Sequence, residues 1–250
     1  MSGHSKWSSI KHKKGAVDAK RGQLFTKLAR AIQVAAREGG GSLEGNAALA
    51  TAVQKAKDAR MPKDNIERAI AKGTGADSDA EAFEAVTYEG YGPGGVAVLV
   101  EALTDNRNRT GSEVRHIFSR NGGSLGEPGS VAWNFEKKGV ILVDGTRYSE
   151  DDLMAAIDAG AEDVATDVDV FEVVTAPGDL VAVREALEAA EVELQSAELT
   201  MRPSSRVAVG EDQVAALMRV LDALDEDDDV AAVHANFDVD AALLERLAAA

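Results

Sequence analysis

Residues 139–201 read GVILVDGTRYSEDDLMAAIDAGAEDVATDVDVFEVVTAPGDLVAVREALEAAEVELQSAELTM. The run Val140-Ile141-Leu142-Val143 is β-branched and apolar, which favours a strand. The pattern after it predicts a helix over 149–158 and strands over 163–166 and 170–175. A second helix is predicted over 177–190, with Pro177 at its start, where the missing N–H has no intrahelical partner to lose. A last strand covers 192–200. The order is β-α-β-β-α-β, the split βαβ or ferredoxin-like arrangement.

On either side the pattern is incomplete. Downstream there is a helix over 211–224, an acidic turn, one strand over 230–236 and a short terminal helix. One strand cannot make a sheet. Upstream, strands over 85–89 and 96–101 are joined by Gly90-Tyr91-Gly92-Pro93-Gly94-Gly95. A helix is expected from Thr110, with Glu113 at capping-box spacing, and a strand over 130–136. This segment lacks a closing helix and strand. Residues 204–250 are therefore expected to complete the sheet of 82–136, with 139–201 inserted into that middle domain.

Residues 1–75 differ in kind. Leu24, Leu28, Ile32 and Ala35 repeat at helical spacing, with Lys20, Lys27, Arg30 and Arg37 on the opposite arc. Gly39-Gly40-Gly41 ends that helix. A second runs over 46–60 with Asn46 as its cap. A third begins at Asp64, with Glu67 three residues on, and closes at Gly73. The fold class expected is α+β in three domains: a small helical domain with a basic arm (1–75), a middle α+β domain (82–136 with 204–250), and an inserted ferredoxin-like domain (139–201). Both α+β domains are expected to be ferredoxin-like.

The 250 residues carry a net charge of −16, which by itself argues against a nucleic-acid partner. Its distribution argues the other way. Residues 1–75 hold fifteen Lys and Arg against six Asp and Glu, a net of +9, and the remaining 175 residues are at −25. A basic segment can meet a phosphate backbone and release its counterions while the acidic remainder repels non-specific contact. The absence of cysteine excludes disulfides, a thiol nucleophile and Cys-ligated metal. The longest apolar run, 95–100, is far short of the roughly 20 residues that span a bilayer. With no apolar stretch near Met1 to serve as a signal peptide, the expectation is a cytoplasmic protein with no membrane partner.

Gly90, Gly92 and Gly95 spell the dinucleotide-binding pattern, but a strand follows where a helix is needed, so a glycine-rich turn is expected instead. The run Asp225-Glu226-Asp227-Asp228-Asp229 lacks the glycine and terminal glutamate of a calcium loop and reads as a solvated turn. His4, His12, His116 and His234 are not at metal-ligand spacing. No catalytic constellation, cofactor, metal site or small-molecule substrate is indicated.

Two segments point to nucleic acid. In the arm, Lys6, Lys11, Lys13, Lys14, Lys20 and Arg21 cluster with His12 and with Trp7, whose indole can stack on a splayed base. Lys27 and Arg30 extend the basic character along the first helix. In the loop Thr104-Asp105-Asn106-Arg107-Asn108-Arg109-Thr110, the side chains of Arg107, Asn108 and Arg109 precede a helix start and can grip phosphates.

Five stretches carry a resemblance: Met1-Ser2-Gly3-His4-Ser5-Lys6-Trp7, Ile10-Lys11-His12-Lys13-Lys14, Met61-Pro62-Lys63-Asp64-Asn65-Ile66-Glu67-Arg68-Ala69-Ile70, Tyr88-Glu89-Gly90-Tyr91-Gly92-Pro93-Gly94-Gly95, and the loop at 104–110. In this order they resemble the YebC/PmpR family. The match is dense over 1–135, through Gly129-Ser130-Val131-Ala132-Trp133, and looser beyond. Leu43 stands where relatives often have proline. The resemblance implies three domains and a probable DNA-binding transcriptional regulator in the cytoplasm. Some relatives are instead ribosome-associated translation factors that relieve stalling at consecutive prolines, and mitochondrial ones are translational activators. No helix-turn-helix reader is evident in the sequence, and an extended basic arm suits folded RNA at least as well as duplex DNA.

Overall fold

A computed structural model describes residues 18–75, 83–167, 169–239 and 243. Most of the basic arm and the terminal helix expected beyond 239 lie outside the described residues.

The N-terminal helices are α1 (Asp18–Gly39), α2 (Ala47–Asp58) and α3 (Lys63–Gly73). Their apolar faces meet in one cluster that includes Ile32, Leu49, Val53, Met61 and Ile66. Asn46 caps α2 by accepting the Leu49 N–H at 3.0 Å. Its amide also donates to the carbonyls of Ala35 (2.7 Å) and Gly40 (2.8 Å), so one buried side chain joins two helix ends. Helix α3 starts at Lys63 after Pro62 and has no side-chain cap, so Asp64 is not its cap. At its end, Gly73 lies so near α1 that a Cβ would come within 2.4 Å of the Gln33 carbonyl.

The middle sheet has the order β3-β1-β2-β9, formed by β1 (Glu84–Gly92), β2 (Val96–Thr104), β3 (Ser124–Leu125) and β9 (Val230–Ala235), with every neighbour antiparallel. Strand β1 runs through Gly90 and Gly92 rather than ending at Glu89. Only Pro93–Gly95 turns, and no helix follows, so the glycines serve packing. At Gly90 a Cβ would meet the Phe118 ring and the Ser124 carbonyl at 2.8 Å. Helices α4 (Arg107–Arg120) and α7 (Glu211–Asp225) cover one face, with Val98, Val100, Phe118, Leu217 and Leu221 at its core. The other face meets the segment 131–135 through Ala97, Leu99, Val131 and Phe135. The short strands β8 (Val207–Ala208) and β10 (Phe237–Asp238) pair in parallel beside this sheet.

The second sheet holds β4 (Phe135–Asp144), β5 (Ala161–Asp167), β6 (Val170–Thr175) and β7 (Leu194–Pro203) in the order β5-β6-β4-β7. Helices α5 (Met154–Asp158) and α6 (Leu180–Ala189) pack on it around Ile141, Val173, Leu153, Val183 and Leu187. This is the β-α-β-β-α-β order read from residues 139–201. The middle sheet opens on a hairpin instead, so it does not share that order.

Several boundaries differ from expectation. Residues 130–136 are not a strand: Ala132–Asn134 form a 3-10 turn, and Phe135 already belongs to β4. The turn sets Asn134 to bind the 205 segment, where its Oδ1 accepts from the Ser205 amide (2.9 Å) and hydroxyl (2.7 Å). The helix expected over 149–158 is a 3-10 turn, Asp151–Leu153, followed by α5. The helix expected from Pro177 begins at Leu180.

We propose that the insertion is an autonomous domain. A polypeptide of residues 135–203 should then melt cooperatively by circular dichroism, whereas 82–136 without β9 should not. Cooperative melting of 82–136 alone would contradict the division.

Candidate nucleic-acid interface

The loop at 104–110 is built from its own side chains. Thr104 Oγ accepts the Asn106 N–H at 2.8 Å, and Asn106 caps α4 by accepting the Arg109 N–H at 3.1 Å. The cap is thus Asn106, not Thr110. Being β-extended and immediately before the first turn, Asn106 is placed for that bond. Thr110 is buried in the helix, its Oγ 2.7 Å from both Thr104 Oγ and Asp229 Oδ2.

Asp229 is the centre of this region. Its carboxylate accepts from Arg109 at 2.6 Å and from Arg30 at 2.9 Å, and its carbonyl accepts the Leu103 N–H at 2.8 Å. It is only 4% exposed. Burial alone would raise its pKa. The hydrogen bonds from Arg109 and Thr110 and the charges of Arg109 and Arg30 outweigh burial and hold it below the usual range. The same contacts, Asp229 first and then Asp105 at 2.8 Å, keep Arg109 firmly protonated.

The acidic turn is therefore not simply solvated. It takes much of the polar face of α1: Gln23 donates to the Glu226 carbonyl and to Asp228, Lys27 to the Asp225 carbonyl, and Arg30 to the Asp228 carbonyl. These contacts tie the basic helical module to the acidic middle domain.

The residues expected at a nucleic-acid site fall into three groups. Lys6, Trp7, Lys11, His12, Lys13 and Lys14 lie outside the described residues, as does the side chain of Lys20. Lys27, Arg30 and Arg109 are brought together by the 225–229 turn, where carboxylates and carbonyls occupy them. Arg107, Asn108 and Arg21 face outward. The Arg107 side chain lies 3.7 Å from Glu84 while its carbonyl accepts the Tyr88 hydroxyl at 3.0 Å, and the Arg21 guanidinium lies 5.4 Å from the Phe25 ring.

A second built loop, 126–134, occupies part of the stretch expected to form a strand over 130–136. Glu89 is 7% exposed and accepts N–H groups from Gly129 (2.6 Å), Val131 (2.7 Å) and Ala132 (2.7 Å). Burial would raise its pKa, but the three N–H donors prevail and lower it. Ser130 offers its carbonyl to the Tyr91 hydroxyl and the Trp133 indole N–H, leaving that indole 76% exposed. A carboxylate pointing at three amides is invisible to periodicity. Glu89→Gln puts an NH₂ against these donors and removes the charge. The expected cost is about 2–3 kcal/mol, by the cost of breaking buried charge-assisted bonds, read as a lowered melting temperature.

Glu113, Asp227 and Asp229 bring carboxylate oxygens within 4.8 Å of one another. Asp229 is already balanced by two guanidinium groups, so the trio does not present three free ligands. At the seam of the two sheets, His234 meets Glu101 at 3.0 Å and Thr200 at 3.2 Å. Hydrogen bonding to His234 lowers the Glu101 pKa. No helix among the described residues is long and apolar enough to cross a membrane.

Residues 5–76 match the family model described as the TACO1/YebC protein N-terminal domain, and residues 83–237 match the TACO1/YebC second and third domain. The chain belongs to the YebC family. A YebC relative from Rubrobacter xylanophilus is 58% identical over 99% of this chain and 100% of its own, and one from Syntrophobacter fumaroxidans is 55% identical over the same shares. Both bear the name probable transcriptional regulatory protein. A conserved hypothetical protein from Aquifex aeolicus, solved by crystallography, has a TM-score of 0.80 at 49% identity, over 90% of this chain and 93% of its own. The structure and this solved neighbour bear out the α+β class with a helical N-terminal region and two sheet-containing parts.

Proposed function

We propose that the protein is a non-enzymatic, nucleic-acid-binding regulator of gene expression that acts in the cytoplasm as a DNA-binding transcriptional regulator. The observation that carries this is the division of charge: a +9 segment heads an otherwise acidic chain. Its densest cations lie in the arm, which is free of acidic residues through Val17. The names of its relatives support regulation of transcription as the output. The outward Arg107 and Asn108 provide a second phosphate contact beside the start of α4, where free N–H groups favour an anion.

A second reading is a translation factor that touches ribosomal RNA. It is favoured by one observation: Lys27 and Arg30 of α1 are turned onto the 225–229 turn, so neither of these cations is presented to a major groove. Co-sedimentation with ribosomes, with and without RNase, separates the two. RNase-sensitive sedimentation favours the translation factor. Duplex DNA binding without ribosome association favours the transcriptional regulator.

A further inference from the structure

Between α1 and α3, and lined also by Phe83, lies an open groove of about 440 Å³. That is within the range of roughly 300–1,000 Å³ typical of small-ligand sites. Its lining combines three kinds of group. Phe25, Met61 and Phe83 supply apolar and aromatic surface, Gln33 and Asn65 supply amides, and Arg30, Arg68 and Lys72 supply positive charge. No acidic side chain lines it among the described residues, which stands out in a chain of net charge −16.

The cations are not equally committed. Arg30 is paired with Asp229, and its guanidinium lies 5.0 Å from the Phe83 ring, so it shapes the groove. Arg68 is exposed and bonded to neutral acceptors, Asn65 Oδ1 at 2.6 Å and the Asp64 carbonyl at 3.2 Å. Neither partner cancels its charge. Lys72 is exposed one turn further along the same face of α3. Asn65, Arg68, Ala69 and Lys72 share that face because they are spaced by three and four residues.

Aromatic and apolar surface, two amides and two exposed cations with no carboxylate partner among the described residues together match the parts of one nucleotide. We propose that this groove binds a single unpaired nucleotide, with the base against Phe25 and Phe83 and the phosphate on Arg68 and Lys72. A base within a duplex cannot present its face to such a surface, whereas a splayed base can. The proposal rests on the nucleic-acid reading above and specifies where, and in what form, the chain takes hold of its ligand. The same chemistry would accept a free mononucleotide.

The test uses the full chain with a fluorescein-labelled single-stranded RNA 10-mer, a blunt duplex of equal length and AMP. In the variant Arg68→Ala with Lys72→Ala, whose side chains are exposed, the fold should persist by circular dichroism. Affinity for the single strand should fall, with the salt slope flatter by about 0.7 for each phosphate no longer neutralised. Phe83→Leu should weaken the single strand roughly tenfold by removing the stacking surface. Duplex affinity should be unchanged in both. Wild-type binding of AMP but not the strand, abolished in the variants, keeps the groove and assigns it a free nucleotide. Single-strand and AMP affinities equal in wild type and variants overturn the groove while leaving the nucleic-acid reading in place. If wild type binds none of the three at low salt, both are overturned.

Discussion

Replacing Asp229 with alanine should lower stability by about 3 kcal/mol, at the lower end of what breaking a buried ion pair costs. The lower end applies because Arg109 is 43% exposed and can recover water, whereas Arg30, at 19%, recovers less. For a chain of this size that is a fall in melting temperature of roughly 6–12 °C. The variant also leaves the buried Thr110 hydroxyl without its carboxylate acceptor. The pH dependence has a definite sign. Asp229 titrates lower in the folded than in the unfolded chain. Its contribution is therefore present above the ordinary carboxylate pKa of about 3.9 and is lost as pH falls through the depressed folded value. Wild type and variant should converge in stability only under strong acid. A constant difference from neutral pH to below 3, or a variant as stable as wild type at neutral pH, would show that the carboxylate does not bind the arginines as described.

That prediction concerns a residue the sequence concealed. Asp229 sits in a run of five acidic residues, and nothing in its local pattern separates it from the other four. Its role arises because β9 lies beside β2, which puts the turn before β9 against both α4 and α1. Pairings over more than a hundred residues leave no periodic trace. The β-α-β-β-α-β order of 139–201 was legible because its alternation of β-branched runs and helical stripes is local. Asn46 was likewise legible as a cap from its place before a helical stripe. Asn106 was not: Thr110 and Glu113 offered a better capping-box match, yet Thr110 is buried and faces Asp229. The groove residues were half legible, since Asn65, Arg68 and Lys72 fall on one helix face. Phe83 comes from beyond the helical module and could not be placed there.

The second large effect concerns the arm. Removing residues 1–17, which stop just short of α1, takes away Lys6, Lys11, Lys13 and Lys14 together with Trp7. If each lysine meets one phosphate, the slope of log affinity against log salt should flatten by roughly 3 to 4, at about 0.7–0.9 per phosphate. Affinity at low salt should fall by at least about fivefold, since a stacked indole adds roughly 1–3 kcal/mol. The melting temperature should hardly move, because the helical core formed by Ile32, Leu49, Val53 and Ile66 stays intact. Comparison with Arg107→Ala and Arg109→Ala divides the interface further. Loss of Arg109 should cost stability through Asp229 and Asp105. Loss of the outward Arg107 should affect binding and leave stability nearly unchanged.

The most direct test of nucleic-acid binding as the central activity is a titration of the intact chain against duplex DNA, single-stranded RNA and purified ribosomes at several salt concentrations. The expected result is measurable binding to at least one of them, with affinity falling linearly in log salt at a slope steeper than about −3, as four or more phosphate contacts require. Absence of binding to all three at about 50 mM salt, or binding indifferent to salt, would contradict it.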